Sequence, residues 1–173
     1  MTAMTTDERT EPETTAAERE MLTGFLDYHR DTLLMKCEGL TDAQLRTPSV
    51  SPSTLTLMGL MRHVADVERW WFRMVMAGEE IEPLYYTDED PDGDFRTTGD
   101  TTWEATLADW RAEVAAAREV TAAHGLDDLS VRKSRRGEPF NLRWILTHMI
   151  EEYARHNGHA DLLREAIDGV TGE

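Results

Sequence analysis

Cys37 is the only thiol in this chain. It excludes an internal disulfide and any structural zinc site built on cysteines, and it fits a reducing compartment. Basic side chains are scarce too: 18 Lys and Arg stand against 34 Asp and Glu, a formal net charge of -16. That excess disfavours nonspecific contact with a phosphate backbone, so nucleic acid is not an expected partner. Lysine is nearly missing, with only Lys36 and Lys133; the reliance on arginine and the frequent alanine suggest a GC-rich genome but carry no chemistry. No run approaches the ~18 consecutive apolar residues that a membrane span needs. The start MTAMTTDERTEPETTAAERE has no apolar centre of a secretory signal. A cytoplasmic protein without membrane contact is the expectation. Convincing alternating strands, internal repeats and recognisable Ser-His-Asp or Cys-His arrangements are also missing.

What remains is a chain of 173 residues, 40% hydrophobic, enough for one core of ordinary size. Residues 1–13 alternate Thr, Glu and Pro and read as a disordered tail, with a single domain over 14–170. A first helix is expected from about Thr15, with Leu22, Phe25, His29, Leu33 and Leu40 at roughly helical spacing and Gly39 near its end. Thr41 and Gln44 have the form of a capping box. Ser53 is placed as the N-cap of a second helix carrying Leu60, His63, Val67, Trp70 and Met74. A third opens on a box of Thr101 and Glu104, runs through Trp103, Leu107, Trp110, Val114 and Ala117, and stops at Gly125; His124 complements its dipole. The fourth spans about 141–168. Long connections follow the second and third helices, and the acidic stretch 78–100, with Tyr85 and Tyr86, is the candidate cover for a site. The fold class is all-α, a four-helix bundle.

The fourth helix poses a problem. Its inward positions count as Leu142, Ile145, Met149, Glu152, His156, His159 and Leu163, three of them polar in succession. Burying a carboxylate and two imidazoles without partners costs several kcal/mol against a domain stability of roughly 5–15. A divalent metal resolves this, because Glu152 and His156 are four apart and project from adjacent turns. His63, in the stripe of the second helix, supplies a third ligand across the bundle. A buried hydrogen-bonded network is the alternative. His29 reads as core or cavity lining, His148 as a flanking partner, and His159 as a fourth ligand or pocket wall. Trp70 and Trp71 either pack or wall a substrate pocket. The basic island RKSRR at 132–136 is a solvated loop or, if functional, suits an anionic ligand.

LMRHVADVERWWF followed by LRWILTHMIEEYARHNGHADLLRE resembles the DinB-like (DinB/YfiT) superfamily of metal-binding helix bundles, in an actinobacterial branch, over about residues 20–168. That resemblance implies a four-helix bundle of DinB-like type holding zinc or nickel through His63, Glu152 and His156. Many relatives have His at the position of Glu152, while the carboxylate form occurs in mycothiol-dependent relatives. It further implies a low-molecular-weight thiol, mycothiol in actinobacteria, as cosubstrate of an S-transferase acting on a small electrophile. His159 or His29 would then assist proton transfer, and Trp70 and Trp71 would line the cofactor pocket. The rival readings are a metal-dependent hydrolase and a noncatalytic stress protein that binds metal or a small ligand. The partners expected are small molecules, and a homodimer is compatible with the sequence.

Overall fold

The computed structural model describes residues 9–171. Among them, α1 (Glu18–Cys37), α3 (Leu57–Glu68), α4 (Trp103–Ala123) and α5 (Leu142–Asp168) are the long helices of a bundle, and α2 (Asp42–Leu45) is a short turn between the first two. Helix α1 lies along α5, and α3 lies against both α4 and α5. None of the described helices is long and apolar enough to cross a membrane.

Caps set the starts, and several differ from expectation. Thr41 and Gln44 do form the capping box of α2. The N-cap of α3 is Thr56, whose hydroxyl accepts from Gly59 N, rather than Ser53; that of α4 is Thr102, accepting from Ala105 N, rather than Thr101. In each case the working hydroxyl is three residues before the first free N–H that it can reach, and the expected residue sits just outside the helix. Thr101 Oγ1 instead accepts from Thr98 N in the preceding loop. Asn141 caps α5 through Trp144 N, and Gly169, at a φ of 76°, ends it in the left-handed region. Helix α1 starts at Glu18, after the expected Thr15. The tail assigned to 1–13 falls largely outside the described residues, but its last part lies on α1, with Arg9 donating to Thr32 at 3.0 Å.

The buried stripe of α1 is Leu26, Arg30, Leu33 and Cys37; Phe25, assigned to it from spacing, is 40% exposed. A second correction is a two-stranded antiparallel hairpin in the third connection, β1 (Leu129–Lys133) and β2 (Pro139–Asn141), where no strand was expected. Its strands are short, and the first is inverted, with apolar Leu129 and Val131 exposed and Ser130 buried. Past Glu68, α3 continues as a π-helical segment, Arg69–Met76, closing with Ala77 N to Phe72 O. The wider turn leaves Phe72, Met74, Val75 and Met76 buried and sets Trp70 and Trp71 on the flank.

One polar network ties all four long helices together inside the apolar core. Arg30 of α1 grips Glu68 of α3 in a fork, Nε to Oε1 and one terminal nitrogen to Oε2, both at 2.7 Å. Tyr153 of α5 donates to Glu68 Oε1 at 2.8 Å, and Trp110 of α4 donates to the Tyr153 hydroxyl at 2.9 Å. Each donor and acceptor meets its partner, which is the condition for tolerating charge at such depth.

Cys37 is buried in the same core, and burial pushes its thiol up to about 12. It is therefore a packing residue and not a nucleophile. Iodoacetamide at mildly alkaline pH is expected to leave the native chain unlabelled and to alkylate it fully in denaturant. Rapid labelling of the folded protein would show the thiol to be accessible.

Candidate metal centre

The long second connection is shaped by α3. Asp66 accepts from Leu84 N at 2.6 Å and Tyr85 N at 3.0 Å, and Arg62 reaches Asp94 O at 3.1 Å while stacking over the Tyr85 ring at 3.8 Å. Gly59 completes the hold: a Cβ there would lie 2.7 Å from Phe95 O, so only glycine lets the loop backbone close onto the helix. One turn after Gly59 comes His63. The loop thereby delivers Asp94 to within 2.7 Å of His63 Nδ1 and stacks Phe95 on the imidazole at 4.4 Å. The acidic connection does cover the site, but with Asp94 and Phe95. Tyr85 is turned away, its hydroxyl bonded to Asp109 of α4 at 2.6 Å.

Across from His63, α5 presents Glu152 and His156. Glu152 Oε2 lies 3.9 Å from His63 Nε2 and 3.5 Å from His156 Nε2, and the three donors all fall within 4.8 Å of one another. Both separations are below twice a metal–ligand bond of ~2.1 Å, so one ion can span either pair. The back nitrogens are engaged as well. Asp94 holds His63 Nδ1, and His159 Nδ1 lies 3.3 Å from His156 Nδ1. For His156 to offer a lone pair at Nε2, its Nδ1 must carry the proton and His159 must accept it. Burial and the neighbouring His156 lower the His159 pKa, keeping it in the neutral form that can accept. Oriented imidazoles with carboxylate and imidazole partners behind them are the usual construction of a metal site, and this donor set fits a divalent ion.

The charges agree with the geometry. The neighbouring His156 and His63 imidazoles hold the Glu152 carboxyl well below the usual carboxylate range, so it is ionised at any working pH. Burial alone would depress His63, but the Asp94 and Glu152 carboxylates outweigh it and push the imidazole up to about 9. The metal-free chain thus keeps a proton on His63 at neutral pH. An ion must displace that proton, so affinity should climb about tenfold per pH unit until about 9 and level off above it. Calorimetry in buffers of different ionisation enthalpy should register one proton released per ion at neutral pH. No proton release would contradict the pairing. In the metal-free chain the same shift adds stability that is complete below the ordinary value of 6.5 and is lost as pH rises through about 9.

The three residues expected as ligands are thus brought together from two helices. The inward stripe counted on α5 needs correction, however. Its buried residues include Met149, Tyr153, His156, Asn157 and Ala160, while Glu152 and His159 sit half-buried beside them. Tyr153, one residue on from Glu152, carries the core contacts that the count assigned to its neighbour, whereas His156 is buried as expected, with Asn157 buried beside it. His29 packs on Asn157, whose Nδ2 donates to the His29 carbonyl at 3.0 Å, and burial lowers its pKa. Trp70 lies under Arg132 at 5.7 Å, whereas Trp71 meets His148 edge-on at 4.9 Å. His148 Nε2 is 3.5 Å from Glu152 Oε1, so the two carboxylate oxygens face different histidines. His124 bonds Val120 O at 2.8 Å, at the end of α4. Asp94 was not identified from the sequence; nothing in its loop distinguishes it from the surrounding acids.

A sequence model of mycothiol S-transferases matches residues 21–169. The chain belongs to the mycothiol S-transferase family. The match runs from the first turn of α1 to past the end of α5 and includes all the residues of the centre, and the bundle is of the DinB-like type. A conserved protein from Enterococcus faecalis, known from its crystal structure, is similar in fold at a TM-score of 0.60 and 18% identity, covering 88% of this chain and 98% of its own. No curated protein matches the sequence.

Proposed function

We propose that this member of the mycothiol S-transferase family is a divalent-metal-dependent enzyme that joins a mycothiol-type thiol to a small electrophile. Zinc or nickel is the ion, and His63, Glu152 and His156 are its ligands. The observation that carries this reading is the pair of Nε2 atoms turned toward Glu152 with both Nδ1 atoms engaged behind them. A divalent ion in such a site favours thiolate over thiol at neutral pH.

The remaining work falls to the chain's own groups. Glu152 and Asp94 supply the negative charge that balances a dication. Phe95 shields His63 on one face and restricts water there. His159 orients His156 and, being neutral, is also placed to take up a proton. The buried Cys37 offers no competing nucleophile, so the thiol comes from the cosubstrate.

The test is elemental analysis of the protein purified without chelators, paired with turnover of a panel of electrophiles with and without mycothiol. One divalent ion per chain and strictly thiol-dependent turnover are expected. A chain without stoichiometric metal would end the proposal, and thiol-independent hydrolysis would replace it with a hydrolase. Asp94→Asn keeps the shape of the His63 partner and removes its charge; it is expected to weaken metal binding about 10- to 100-fold, measured by competition with a chromogenic chelator.

A further inference from the structure

Arg135 and Arg136 stand out in the hydrogen-bonding pattern. Apart from these two and Arg111 on the exposed side of α4, every arginine side chain in the described residues has a carboxylate, carbonyl, hydroxyl or ring partner. In a chain with 34 acidic residues, two adjacent guanidinium groups left without a partner are unexpected. Glu138, in the same hairpin turn, pairs with neither of them. Both arginines line a cleft of about 580 Å³ with Glu138, Phe140, Asn141 and Trp144. Trp144 is 45% exposed, although Phe140 at 4.7 Å and Trp71 at 5.2 Å form an aromatic group with it.

A run of side-chain contacts leads from this cleft to the metal centre. Trp144 stacks on His148 at 5.0 Å, 22° from parallel, and His148 Nε2 is 3.5 Å from Glu152 Oε1. A flat ring surface, two free planar donor groups and a short run of contacts to a ligand carboxylate therefore occur together. Guanidinium groups match carboxylates with paired hydrogen bonds, and an indole face takes a flat apolar group.

We infer that this cleft is the specificity subsite for the electrophile, and that it selects a substrate bearing a carboxylate on a flat, aryl or conjugated frame. Arg135 and Arg136 hold the carboxylate, and Trp144 stacks on the frame. The word electrophile rests on the S-transferase reading; the anion site itself does not.

The experiment measures binding rather than turnover, by calorimetry on the full chain stripped of metal with a chelator and without any thiol. The probes are 3,5-dinitrobenzoate and its neutral amide, 3,5-dinitrobenzamide. The acid is expected to bind at one site about tenfold more tightly than the amide, with the difference shrinking as salt is raised. Arg135→Ala/Arg136→Ala should abolish that difference while leaving amide binding in place. Trp144→Ala should weaken both probes, and Trp144→Phe should restore most of the loss. Equal affinity for the two probes, or a preference that survives the double arginine variant, overturns the inference. So does acid binding that appears only when metal is restored, since that would place the carboxylate on the ion. Because these readouts need neither metal nor thiol, a failed S-transferase assay leaves them unaffected, and their failure leaves that assay standing.

Discussion

Replacing His156 by alanine is expected to strip the divalent ion from the chain and abolish thiol-dependent turnover. The imidazole is 7% exposed, and its Nε2 lies 3.5 Å from Glu152 Oε2. Without it only His63 and Glu152 remain, and two donors are too few to retain an ion against a chelator. Outer partners of metal ligands contribute about 10- to 100-fold in affinity, so the loss of a ligand must exceed that range. His159→Ala, which removes only the group behind His156, should stay within it. Elemental analysis after dialysis against a chelator checks both variants, and circular dichroism checks that α5 persists. Full metal retention by His156→Ala would remove the basis of the proposed chemistry.

The second large effect concerns stability. Glu68→Ala should destabilise the fold by about 3–5 kcal/mol, a substantial share of the roughly 5–15 kcal/mol available to a domain. The loss is this large because Arg30, enclosed in the core, would keep its charge with only the partly exposed Asp27 carboxylate, 2.8 Å from one terminal nitrogen, left to it, and the Tyr153 hydroxyl would lose its acceptor. Removing both charges is a different case. Arg30→Met/Glu68→Leu takes away the need for pairing, so it should cost well under the single variant. Urea unfolding of the two proteins measures the difference directly. If the single and double variants were equally unstable, packing rather than the unpaired charge would be responsible.

How far the sequence revealed this protein can be judged from particular residues. Long-range periodicity located the four helices because each long helix buries one stripe and leaves the rest in water. It failed by one residue where two neighbours were both plausible: Phe25 against Leu26 on α1, and Glu152 against Tyr153 on α5. Adjacent helix positions differ by about 100°, and which of them faces inward depends on where the neighbouring helix lies. Caps failed in the same manner at Ser53 and Thr101, since a hydroxyl shows its function only when the next turn's N–H is aimed at it. The hairpin was missed because its two strands are short and the alternation of the first is inverted, with Leu129 and Val131 exposed and Ser130 buried.

The sequence by itself determined that the chain is a helical bundle, and that His63, Glu152 and His156 are metal-capable groups at helical spacing. Those features are local: an i, i+4 pair and an apolar stripe exist wherever a helix forms. Only the tertiary structure decided that Asp94 stands behind His63, that Arg30 and Glu68 meet in the core, and that Arg135, Arg136 and Trp144 share one cleft. These pairings join residues from separate elements. Their geometry follows from helix packing and from a loop closing over a glycine, and no spacing along the chain encodes it.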